Sequence, residues 1–192
     1  MPDGARFCNP SGTLPLYTAV AGDCFAYGYW VTEPCEYWTS IYIDTGLANA
    51  GTAVVRGGWY DDVAGPSGPA GYPQCLKLDA GNLTIATGAS IQALPAINRP
   101  VHMGLNWLVL CIQSLTGTTT LNTICGPSML LPSSNIHALT TAAIQPIAWK
   151  VTGVAAGALP TVFPTTGTLV GVDGVGTAST IAPYIAVTRI IQ

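Results

Sequence analysis

The sequence predicts a mainly β fold: a β-sandwich or barrel-like core with long Gly/Pro/Thr-rich loops and extended arms, and at most one or two short helices. Three observations predict it. Short runs rich in β-branched and aromatic residues recur along the chain, Gly, Pro, Asn or Ser bounds each run, and only residues 135–145 read as a helix.

In chain order, residues 27–32 and 37–43 are predicted strands. They are expected to pair as a hairpin across Glu33-Pro34-Cys35-Glu36, because four intervening residues with a proline suit such a connection. Further strands are expected at 83–87, 105–112, 118–124, 149–154 and 184–191. The last alternates cleanly: Ile185, Val187, Arg189 and Ile191 share one face, while Ala186, Thr188 and Ile190 share the other. Asn135 is placed to cap the helix and Pro146 to end it.

Two textures divide the chain. All aromatic residues except Trp107, Trp149, Phe163 and Tyr184 lie in residues 1–80, and of the six basic and nine acidic residues only Arg99, Lys150, Asp173 and Arg189 follow Asp79. Residues 1–80 therefore read as an aromatic- and Cys-rich N-terminal region and 81–192 as an Ala/Thr/Gly-rich β region. The border, near 61–81, contains the triplets Gly65-Pro66-Ser67, Gly68-Pro69-Ala70 and Gly71-Tyr72-Pro73, which are far too short for a collagen helix and mark a loop. Between Lys150 and Ala182 the only charged residue is Asp173, so 150–182 is expected to lie as an extended arm against a neighbour. Val170 and Val172 are its interface candidates. Trp30, Trp38 and Trp59 are the candidates of the N-terminal region, expected to pack or to meet a protein partner.

Charged residues form only 8% of the chain, against about 25% in ordinary soluble domains, and mean hydropathy is +0.43. The longest apolar runs, 101–112 and 136–149, are interrupted by polar residues or proline and fall short of the ~20 residues a spanning helix requires. Hydrophobicity without a span points to a surface covered by copies of the chain or by a partner. The six basic residues stand singly, which argues against direct nucleic-acid binding. No secretory signal is visible at the N-terminus, so synthesis in the cytoplasm is expected.

The six cysteines contain no C-x-x-C pair, which argues against structural zinc, and their even number allows three disulfides. Cys111, inside Leu108-Val109-Leu110-Cys111-Ile112, reads as a buried thiol. Motifs of catalysis are missing. His102 and His137 lack a recognisable setting, and Ser67 misses the nucleophile pattern because Pro69 replaces its second glycine. Asp61-Asp62 reads as a solvated turn before a calcium site, and Glu33 with Glu36, flanked by Trp30, Tyr37 and Trp38, is a weak sugar-cleaving pair. No catalytic, cofactor-binding or metal-binding residue is assigned.

An Ala/Thr/Gly/Pro-rich β chain short of charge, with a lone C-terminal strand ending in Thr188-Arg189-Ile190-Ile191-Gln192, resembles the accessory structural proteins of tailed-bacteriophage virions. Head decoration or cement proteins are the nearest analogy. The resemblance implies a non-enzymatic protein of the virion, assembling with copies of itself, commonly as trimers, and bridging major capsid or other virion proteins. The aromatic N-terminal region and the six cysteines depart from the plainer decoration proteins and leave a tail or fibre position open. The alternative is a secreted or tail-borne carbohydrate-binding, adhesive β module.

Overall fold

A computed structural model of the chain describes residues 16–45, 51–62, 72–85, 91–95, 97–122, 146–164, 168–171, 182, 183 and 185–191. Mainly β structure is what it shows. The strands are β1 (Leu16–Thr18), β2 (Cys24–Val31), β3 (Glu36–Asp44), β4 (Thr52–Asp61), β5 (Leu76–Ile85), β6 (Ile91–Ala93), β7 (Arg99–Pro100), β8 (Gly104–Thr116), β9 (Thr120–Asn122), β10 (Pro146–Val151), β11 (Thr168–Gly171) and β12 (Ile185–Ile191).

A six-stranded sheet, ordered β11-β10-β2-β8-β4-β5, packs against a four-stranded sheet in which β3 pairs with β12, β6 and β7; β1 and β9 form a separate pair. All these pairings are antiparallel. Phe25, Tyr27, Val55, Leu108 and Leu110 of the larger sheet meet Trp38, Ile41, Ile43 and Ile185 of the smaller in one apolar core. A bulge at Thr39, where Trp38 pairs with Arg189 and Ser40 with Thr188, brings Trp38 to the same inward face as Ile41 and Ile43.

The larger sheet is also covered on its other face. Cys24, Ala26, Tyr60, Trp107, Val109 and Cys111 form a second core with Tyr72, Leu159 and Phe163. Strand β8 is consequently buried at every position from Leu105 to Ile112, which is why its sequence is a continuous apolar run. Three tyrosines fasten the covering segments by donating to proline carbonyls: Tyr60 to Pro160 at 2.5 Å, Tyr72 to Pro164, and, on the sandwich side, Tyr27 to Pro183 at 2.6 Å.

Several expectations change. The predicted hairpin does not form: β2 pairs with β8 and β10, whereas β3 belongs to the other sheet. The chain crosses between the layers after Val31, with Cys35 in the left-handed region at φ 63°, and the Tyr29 and Trp38 rings meet edge-on at 5.3 Å across the core. Cys111 is buried, but as half of a disulfide with Cys24, its directly opposed partner on β2. Residue 80 lies within β5, and both compositional regions supply strands to the six-stranded sheet. The arm expected at 150–182 is, over 150–164, cover for this molecule's own sheet, with Val151, Leu159 and Phe163 buried. The helix expected at 135–145 lies outside the described residues.

Candidate interaction surface

Two sheet-to-sheet crossings lie side by side at one end of the sandwich. The first is residues 32–35, joining β2 to β3. In the second, β7 runs beside the start of β3, pairing Arg99 with Trp38 and Pro100 with Tyr37. The Val101 N–H then donates to the Glu36 carbonyl at 2.9 Å, and β8 begins with Gly104 opposite Val31. Gly104 has φ 106°, so the turn into β8 uses a backbone conformation that glycine alone adopts readily.

Beneath this end the supports are buried and polar. The Trp59 indole donates to Asn106 Oδ1 at 2.9 Å, and Asn106 Nδ2 donates to the carbonyls of His102 at 2.9 Å and Gly104 at 3.1 Å. Asn106 is fully buried, and these bonds use both ends of its amide to fix the second crossing. Trp38 donates to Glu36 Oε1 at 2.8 Å, and Trp38 and Trp59 pack with ring centroids 5.6 Å apart.

The tip itself is apolar and aromatic. Trp30 is 50% exposed and Met103 58%, and Pro34, Cys35, Pro100 and His102 are exposed near them. The His102 ring stacks over Trp59, with centroids 6.4 Å apart. Glu33 and Arg99 bring one charge of each sign to the rim. Such a surface suits contact by ring and thioether faces, in the manner of protein-interface centres.

The sequence-derived candidates separate here. Trp38 and Trp59 are core residues, at 0% and 7% exposure, and only Trp30 presents its ring to solvent. Val170 lies in β11 opposite Ala148, while Val172 lies outside the described residues. The Glu33 and Glu36 pair is divided between solvent and core. Asp61 is not a solvated turn residue: it is 1% exposed and ion-paired to Lys77 Nζ at 2.6 Å, while Asp62 accepts from the Trp107 indole at 3.4 Å. His137 and Ser67 lie outside the described residues. Among the described residues no three His, Cys, Asp or Glu side chains are grouped to hold a metal ion.

Sequence reading also missed the ion pairs, in each of which at least one partner is buried or half-buried. Lys150 Nζ meets Asp23 Oδ2 at 2.7 Å, and Arg56 Nε meets both Asp79 oxygens at 2.8 Å. Burial opposes ionisation of Asp79, but donation from Arg56 and from the backbone N–H groups of Leu159 and Gly81 outweighs it and holds the carboxyl below its usual range. Asp61 bonded to Lys77 raises the lysine's pKa against a smaller opposing effect of burial. No local signal marks these pairs, because each joins residues on separate strands or connections.

No family model, curated protein or solved structure matches this chain.

Proposed function

We propose that the chain is a non-enzymatic structural protein of a virion, assembling on or within a viral shell as a capsid decoration or cement protein. One observation carries this reading: among the described residues the fold leaves few charges fully exposed and several large apolar side chains exposed instead. Of the charged residues whose exposure is described, Asp23, Glu36, Asp44, Arg56, Asp61, Asp62, Asp79 and Lys150 are buried or half-buried, and only Glu33, Lys77 and Arg99 are exposed. Leu16, Val20, Trp30, Ile91, Met103, Val162 and Ile190 are exposed instead. A surface so poor in charge and so well supplied with apolar side chains is suited to being covered. The Cys24–Cys111 disulfide fits a protein that spends its working life outside a reducing cytoplasm, as a virion does.

Quantitative mass spectrometry of purified particles tests the proposal. The chain should be present in a fixed copy number per particle, as symmetric binding to a shell requires. Its absence from particles overturns the assignment. The adhesive alternative keeps one favourable observation, the half-exposed Trp30 ring. It makes a distinct forecast, namely glycan binding that disappears in Trp30→Ala while the fold persists.

A further inference from the structure

Asp23 and Cys24 are consecutive residues with opposite duties. Cys24 is bound to Cys111 on one face of the six-stranded sheet, and Asp23, just before β2, meets Lys150 of the adjacent strand β10 on the other. The Asp23–Lys150 contact differs from the other described ion pairs. In Lys77–Asp61 the lysine side chain is 44% exposed, and in Arg56–Asp79 the cation is a guanidinium, which does not acylate under ordinary conditions. For Lys150 and Asp23 the side-chain exposures are 14% and 3%. The ammonium lies 5.6 Å from the Tyr17 ring centroid and 5.5 Å from that of Phe25, so its surroundings are aromatic walls. A third group completes the cluster: the Tyr17 hydroxyl donates to the same Asp23 oxygen that Lys150 touches.

We propose that Asp23 and Lys150 are the site of an intramolecular amide crosslink, formed by condensation of the Lys150 amine with the Asp23 carboxyl. Transfer of one ammonium proton to the carboxylate across the 2.7 Å contact gives the neutral amine and acid from which an amide can form. The Nζ lone pair then attacks Cγ of Asp23, a C–N bond forms, and the C–O bond to the oxygen held by Tyr17 breaks. That oxygen departs as water, carrying the acid's proton and one proton from the amine, so atoms balance and nothing is oxidised or reduced. Tyr17 serves as a positioning donor to the leaving oxygen. Its burial, reinforced by the bond to Asp23, raises its pKa well above the ordinary tyrosine value, so it keeps the proton it donates. The crosslink would tie β10 to the start of β2 as the disulfide ties β8 to it, whatever the protein's larger role.

Intact-mass measurement of the purified full chain, fully reduced and denatured, tests this. The expected result is a mass lower by one water than the sequence requires, and a proteolytic digest containing a branched peptide that joins Asp23 to Lys150. Lys150→Arg, which keeps the positive charge, should restore the full mass, and Tyr17→Phe should slow the appearance of the crosslinked form. A wild-type chain of full mass overturns the proposal, and so does a water loss confined to a linear peptide. Both of these results are read from the wild-type chain and do not depend on any variant folding.

Discussion

Gly57 and Gly58 are adjacent in β4 and face opposite ways. A Cβ on Gly57 would overlap Leu94 Cδ1 in the sandwich core, and one on Gly58 would overlap Leu159 Cδ1 and come within 2.5 Å of the Leu78 carbonyl oxygen. Overpacking of this kind costs about 1–3 kcal/mol. Gly57→Ala and Gly58→Ala should each lower the urea midpoint accordingly, while Gly153→Ala, which has open space but a φ of 74°, should cost through backbone strain alone. Tryptophans divide by the same logic. Trp38→Ala empties a fully buried site and should cost about 3–5 kcal/mol, whereas Trp30→Ala should leave the unfolding midpoint nearly unchanged and weaken assembly. Sequence alone cannot make that distinction, because the two residues have similar neighbours and only the crossing between sheets turns one inward. Asp79 supplies a pH test. Its folded pKa is depressed, so its contribution is fully present above the ordinary carboxylate value of about 3.9 and is lost as pH falls through the lower folded value. Urea midpoints measured between about pH 5 and pH 2 should fall less steeply for Asp79→Asn than for the parent chain.

Strands were legible where apolar content was high. Residues 105–112 and 184–191 sit within or overlap β8 and β12, and in β12 Ile185 and Val187 face the core while Thr188 and Ile190 are exposed, as the alternation requires. Strand β4 escaped notice because Arg56, Gly57 and Gly58 interrupt its pattern, and of β5 only the end was anticipated, by the run at 83–87, because the rest carries Lys77, Asp79, Gly81 and Asn82. Those residues weaken local strand preference, yet close cover on both faces demands the glycines, and the Arg56–Asp79 bond joins the two strands. The β2–β3 connection misled for a related reason. Four residues with a proline suit a hairpin and an inter-layer crossing equally, and the choice is made by β8, far along the chain, taking the place beside β2. The Cys24–Cys111 bond then closes a loop of sequence separation 87. Its chain-entropy contribution is about 4–5 kcal/mol, so adding reductant, or replacing both cysteines by alanine, should lower the free energy of unfolding by that order, read from denaturant titration, without changing the strand content seen by circular dichroism.

At the scale of the whole molecule, a chain with 8% charged residues folds so that three of its basic residues meet acids that are buried or half-buried. Lys150 with Asp23, Lys77 with Asp61 and Arg56 with Asp79 draw six of those charges into pairs. Among the described residues few charges stand fully exposed, and the half-exposed Trp30 and Met103 stand at the end where both crossings are anchored by buried Asn106 and Glu36. Composition revealed that this surface would be short of charge. Which apolar residues would stand on it was not legible, because burial of Trp38 and exposure of Trp30 depend on layer packing. Assembly is tested by sedimentation velocity of the purified chain at micromolar concentration, repeated with purified shells lacking it. A stable oligomer is expected, or a chain that cosediments with the shells and is released by Trp30→Ala; a stable monomer that the shells do not take up would rule assembly out.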